Sequence, residues 1–280
     1  MNLLLLLFTA VLHLGTALEA PPSSNSLTNK IHHLRSQRRS KPLQNIETIP
    51  LPLLAVTDNI TPEFQGKYYS TNWAGAVIKN PPPSATYTYI SATIAVPTPT
   101  PTDNSTYQAA PAWVGIDGAT HIAAIPQTGV DLYVVDGKPY TDAWYEWYPN
   151  IALYYDEFEV NPGDVIVTSV NVTASNRGVC MVENRNTGEI VSKTLLAPKS
   201  TATLAGMNAE WVVEDFHSGG NPVPFVKFDR VWFEGCATYA DGDKYGLGNA
   251  TVYELMQDNV MIADVRVVDA DKMVVTHFAA

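Results

Sequence analysis

Residues 208–216, NAEWVVEDF, set two carboxylates four positions apart in a run that otherwise reads as a buried strand. On a strand Glu210, Val212, Glu214 and Phe216 share one face, and Trp211, Val213 and Asp215 share the other. A carboxylate in such a setting is costly unless a partner or a function retains it, and burial raises its pKa toward values useful for proton transfer. Glu210 and Glu214, on the same face, are therefore the candidates for the centre of any chemistry.

Three further segments read with period two give the same texture. Trp113 and Asp117 share a face in WVGID, Gln127, Gly129 and Asp131 in QTGVD, and Asp142, Trp144, Glu146 and Tyr148 in DAWYEWYP. A solvated outer face is polar too, but it usually carries Lys, Thr and Ser, whereas these segments carry acids and tryptophans with no basic residue. Tryptophan is costly to expose without a ligand, and unpaired carboxylates repel one another. The pattern predicts a ligand-binding groove across one sheet face.

Other chemistries find little support. No G-x-S-x-G stands near a plausible base, and His121, His217 and His277 lack zinc-like spacing. His32 and His33 are adjacent without a second ligand pair, and Cys180 and Cys236 form no C-x-x-C. No metal and no cofactor is expected.

The elements that must position these residues are strands. Strand-like runs fall at 68–78, 86–96, 113–116, 125–135, 143–148, 164–173, 178–184, 190–195, 209–216, 225–233, 260–268 and 273–278. Turn signals such as Asp136-Gly137, Asn161-Pro162-Gly163 and Asn186-Thr187-Gly188 separate them. Only residues 249–257 have weak helical character. Many short strands with regular turns predict an all-β sandwich or barrel.

The chain begins with MNLLLLLFTAVLHLGTA, whose apolar stretch is too short to span a bilayer and is followed by small residues. It reads as a signal peptide over 1–17, and so as a secreted protein with no membrane anchor. Residues 18–66 read as a basic, Pro-rich propeptide ahead of a domain over 67–280. Residues 1–66 carry five basic and four acidic side chains, and the remainder twelve and 24. An acidic body argues against a nucleic-acid partner and suits either work at low pH or plain solubility. The basic leader suggests a propeptide held by charge complementarity. Sequons at Asn59, Asn104, Asn171 and Asn249 agree with secretion, and one disulfide is open to Cys180 and Cys236.

From about Ser70 to Phe233 and onward the chain resembles the glutamic peptidases, or eqolisins, the acid endopeptidases of filamentous fungi. The resemblance rests on NWAG (72–75), AWVGIDG (112–118), QTGVD (127–131), YTDAWYEWYP (140–149) and NAEWVVEDF, in the family's order. It implies an antiparallel sandwich of two large sheets, similar to concanavalin A-like and jelly-roll proteins. It further implies catalysis by Gln127 and Glu214, with Trp73, Trp113, Asp117, Asp142, Trp144 and Glu146 lining or supporting the cleft. The expected partners are protein or peptide substrates and the chain's own propeptide as inhibitor, with a mature monomer starting near Lys67. A jelly-roll glycosidase or a lectin-like module are the alternatives, because paired carboxylates beside tryptophans also describe a glycan cleft.

Overall fold

The computed structural model describes residues 24–46 and 68–278. The expected signal peptide, the sequon at Asn59, the second half of the leader and the mature terminus near Lys67 lie outside those residues.

The leader contributes helix α1 (Ser24–Arg35) and strands β1 (Arg38–Arg39) and β2 (Asn45–Ile46). The body opens with β3 (Tyr68–Ser70), β4 (Trp73–Ile78), β5 (Tyr87–Ala95), β6 (Tyr107–Ile116), β7 (Ile125–Val135), β8 (Lys138–Tyr148) and β9 (Leu153–Glu159). It continues with β10 (Val165–Ala174), β11 (Arg177–Asn184), β12 (Glu189–Leu196), β13 (Ala209–Glu214), β14 (His217–Ser218) and β15 (Asn221–Pro222). It closes with β16 (Arg230–Ala240), β17 (Asp243–Tyr245), β18 (Thr251–Gln257), β19 (Val260–Val267) and β20 (Lys272–His277).

Antiparallel pairing runs β9-β8-β7-β6-β13-β4-β18, turns over at the β18–β19 hairpin, and returns as β19-β20-β16-β5-β10-β11-β12. The return half packs on the first, with β10 and β11 against β7 and β5 and β16 against β13. This is the expected all-β sandwich, its two sheets joined at one edge into a continuous ladder.

Alternation decides which face goes inside. Ala110, Ala112, Val114 and Ile116 of β6, Val130, Leu132 and Val134 of β7, and Trp211 and Val213 of β13 enter one core with Ile90, Ile94, Ile166, Val170 and Val182 of the opposite sheet. Fully burying such an aliphatic side chain contributes roughly 1.5–3 kcal/mol, so this face fixes register. The other face of β6, β7, β8 and β13 is left to carry the groove.

Several sequence expectations need correction. Residues 249–257 are not helical: only Leu247–Asn249 form a 3-10 turn, and Thr251–Gln257 is β18, held between β4 and β19. The run 225–233 is strand only from Arg230, because Phe225 and Lys227 make isolated bridges to Ala109 and Thr100 instead. The leader is more ordered than its prolines suggest. Leu27, Ile31 and Leu34, one stripe of α1, pack on a cluster of Tyr133, Val135, Phe216 and Val223. Cys180 and Cys236 are both buried and unbonded to each other. Asn104, Asn171 and Asn249 are exposed.

Candidate active site

Cross-strand register assembles the groove in rows. Glu210 faces Gly115, Gly115 faces Gln127, and Gln127 faces Glu146 across β13, β6, β7 and β8. The next row holds Val212, Trp113, Gly129 and Trp144. In the third, Glu214 faces Trp73 on β4, while Asp131 faces Asp142 on the β7–β8 side. Gly129 is required by close approach, since a Cβ there would lie 2.1 Å from the Ala112 carbonyl oxygen and 2.7 Å from the Trp113 Cα.

Glu214 is fully buried. The Trp113 indole Nε1 donates to its Oε2 at 3.1 Å, and the Lys41 main-chain N–H donates to its Oε1 at 2.9 Å. Trp113 in turn meets Trp73 edge to face, with ring centroids 5.1 Å apart. Burial pushes the Glu214 carboxyl up to about 8; the Lys41 N–H and the Arg38 charge oppose the rise, and nearby Glu146 adds to it. Burial likewise raises Glu146 to about 7, against the pull of Arg38 and the Ser40 N–H.

Glu210 is equally buried, yet neither of its oxygens has a hydrogen-bond partner among the described protein atoms. Burial, with a smaller push from Asp117, holds its pKa well above the usual carboxylate range. Gln127 is buried too, and both ends of its amide lack a partner among the described residues. An amide so placed has a donor and an acceptor to offer a bound molecule.

The remaining expected residues divide. Trp73, Trp113 and Trp144 are fully buried and form one apolar cluster with Ile125, Val212 and Tyr253. Asp117 supports the groove rather than lining it. It takes a left-handed φ of 67°, and its oxygens accept from the main-chain N–H groups of Ala205, Gly206, Met207 and Asn208 at 2.7 to 3.3 Å. That clamp sets the approach to β13. Asp142 sits at the rim, bound to Tyr133 and to Arg35 of the leader.

Sequence reasoning left Arg38 out of the site and put Asp131 on the groove face without a role of its own. The Arg38 guanidinium is completely buried, 3.6 Å above the Trp144 ring centroid and 5.0 Å from that of Phe216. Its Nε lies 3.2 Å from Asp131 and its Nη1 3.6 Å from Glu146. Tyr154 donates to the other Asp131 oxygen at 2.6 Å. The available signal was the basic cluster of the leader read against the surplus of acids on the groove face. Asn72, present in NWAG, was likewise given no role, although its side-chain amide bonds the leader's main chain.

The leader thus crosses the whole groove. Its helix covers the Tyr133 end, β1 pairs with β14 just past Glu214, and β2 pairs with β3. Among the described residues no group of His, Cys, Asp and Glu is arranged to hold a metal ion.

An antiparallel sandwich with a buried carboxylate and amide on a tryptophan-lined groove agrees with what the resemblance to the glutamic peptidases implies. Residues 71–277 match the Peptidase A4 family, and the chain belongs to it. Its relatives include Aspergillopepsin-2 of Aspergillus niger, 32% identical over 97% of this chain and 98% of that protein, and Scytalidopepsin B of Scytalidium lignicola, 35% identical over 69% and 73%. Among solved structures, scytalido-glutamic peptidase with a transition state analog inhibitor superposes with a TM-score of 0.67 at 33% identity, covering 74% of this chain and 98% of that one. Aspergilloglutamic peptidase from Aspergillus niger gives 0.58 at 39% identity, covering 61% and 99%. These matches bear out the resemblance to glutamic peptidases and favour a proteolytic over a glycan-directed activity.

Proposed function

We propose that this chain is a secreted acid endopeptidase in which Glu214 activates the attacking water and Gln127 stabilises the oxyanion. The observation that carries this reading is the grip on Glu214, a fully buried carboxyl whose Oε1 accepts a peptide N–H from an extended segment of chain. A peptide nitrogen there stands where a leaving amine would. In the first step Glu214 takes a proton from water as the water oxygen bonds to the carbonyl carbon. The Gln127 Nε2–H donates to the oxygen that becomes negative, and its Oε1 accepts from the same water. Collapse of the tetrahedral intermediate breaks the C–N bond, and Glu214 returns the proton to the amine. Water entering the groove when the leader departs lowers the Glu214 pKa from its buried value, restoring the base form under acid conditions.

In the same reading residues 1–17 are a signal peptide, 18–66 an inhibitory propeptide and 67–280 the mature, monomeric enzyme. It needs no metal or cofactor, binds neither nucleic acid nor membrane, and is insensitive to pepstatin, as its resemblance to the glutamic peptidases implies. Arg38, Arg35 and Lys30 of the leader, paired with Asp131 and Glu146, with Asp142 and with Asp136, support the inhibitory role.

The test is Gln127→Ala in the acid-activated chain. Loss of one oxyanion donor costs on the order of 10²- to 10³-fold in kcat. Near-full activity in this variant, with the fold intact, would sink the assignment.

A further inference from the structure

The leader shows how the body holds a chain beyond Glu214, and apart from a Thr71 hydroxyl on the Gln44 side chain the polar contacts described there go to main-chain atoms. The Asn72 Nδ2 donates to the carbonyl oxygens of Lys41 at 3.3 Å and Pro42 at 3.0 Å, while its Oδ1 accepts the Gln44 N–H at 2.8 Å. The Trp73 Nε1 also donates to the Lys41 carbonyl, at 3.1 Å, and the Leu43 N–H donates to the Gly118 carbonyl at 3.0 Å.

Asn72 is built for this task. It is 2% exposed, and Ser70 Oγ donates to its Oδ1 at 3.0 Å, which fixes which end of the amide faces which way. Its own carbonyl accepts the Asp215 N–H at 2.8 Å, tying it to the residue after Glu214. Without an extended chain in the groove, both ends of this amide lose these main-chain partners, while Ser70 Oγ stays on its Oδ1 and keeps it aimed at the groove.

We propose that Asn72, with the Trp73 indole and the Gly118 carbonyl, is a backbone clamp for the four substrate residues C-terminal to the scissile bond. This rests on the peptidase reading, with the Lys41 nitrogen marking the leaving amine and the substrate running in the leader's direction. The ligand is any extended peptide, since main-chain contacts supply affinity without demanding side chains. The clamp still imposes one selection. At the second position past the bond it uses only a carbonyl, so proline fits there, as Pro42 does. At the third and fourth positions it needs an N–H, so proline or an N-methylated residue is rejected.

The experiment uses the acid-activated full chain and a quenched peptide with at least four residues after the bond, N-methylated singly at the second, third or fourth. With the wild-type protein, methylation at the third or fourth position is expected to lower kcat/KM about 10-fold, as befits one lost hydrogen bond, and at the second to change it little. Asn72→Ala is expected to lower kcat/KM on the long peptide 10- to 100-fold, mainly through KM, and to lower it less on a peptide that ends one residue past the bond, which keeps only the carbonyl that Asn72 shares with the Trp73 indole. The variant should also erase the penalty at the fourth position while keeping that at the third, which belongs to Gly118. Equal penalties at all three positions in the wild type would overturn the clamp whatever the variant does. A wild type that cleaves no peptide would overturn the peptidase reading instead. In that case, calorimetry of a synthetic 38–46 peptide on the same protein decides the clamp, with N-methylation at the Gln44 nitrogen expected to weaken binding about 10-fold and an unchanged affinity contradicting it.

Discussion

The two faces of β6, β7, β8 and β13 differ in composition as sharply as two separate proteins, although they belong to the same few residues read in alternation. Inward, Ala112, Val114, Val130, Leu132 and Val213 join one hydrophobic core with residues of the opposite sheet. Outward, Glu210, Glu214, Gln127, Asp131 and Glu146 are just as buried, among tryptophans. One face supplies the stability that the other spends. All four carboxyls there, Glu210, Glu214, Asp131 and Glu146, are raised chiefly by desolvation, meaning that the fold holds them against their preference for water.

Breaking the outward face where the leader plugs it should have the largest effect. Arg38→Ala leaves Asp131 and Glu146 buried together without their cation, a loss on the order of 3 kcal/mol. A synthetic leader peptide carrying this change should inhibit the activated enzyme roughly 100-fold less well, measured as an inhibition constant. Leu132→Ala on the inward face should cost about 2–5 kcal/mol of stability in urea unfolding, with kcat of the folded fraction nearly unchanged. A comparable loss of kcat would blur the division between the faces.

Glu210→Gln sharpens the contrast on the outward face. Replacing an unpartnered buried acid should leave stability equal or slightly higher and retain most of the activity. A further contrast concerns pH dependence. Glu214 at about 8 and Glu146 and Asp215 at about 7 all lie above their unfolded values, so folding takes up protons. Their contribution to stability is complete below the unfolded range near about 4 and is lost as pH rises through 7 and 8. The urea midpoint of the full-length chain should therefore be higher at pH 4 than at pH 8, and Glu214→Gln should flatten that slope.

Alternation made the groove face legible in the sequence, because a two-residue period needs no knowledge of distant partners. It put Gln127, Trp144, Glu146, Trp113 and Glu214 on one groove face, while which strands lie side by side came only from the structure. It could not choose between Glu210 and Glu214, since both satisfy the same period. That choice came from a family motif, and the structure adds that only Glu214 has an indole and a peptide N–H upon it. Asp117 misled the reading because its left-handed backbone turns it out of the alternation and into a loop clamp. The leader was the least legible part. The stripe of Leu27, Ile31 and Leu34 is short and surrounded by polar residues, and its partners lie more than 70 residues away. Residues 251–257 read as weakly helical until the pairing with β4 and β19 overrode local propensity.

The central claim is that Glu214 performs the chemistry, and it is tested most directly by cleavage of a denatured protein substrate from pH 2 to 7. The acid-activated wild type would be run with and without pepstatin, beside Glu214→Gln. The account predicts acid-optimal cleavage that pepstatin leaves intact and that the substitution abolishes. Cleavage persisting in a folded Glu214→Gln chain would contradict it.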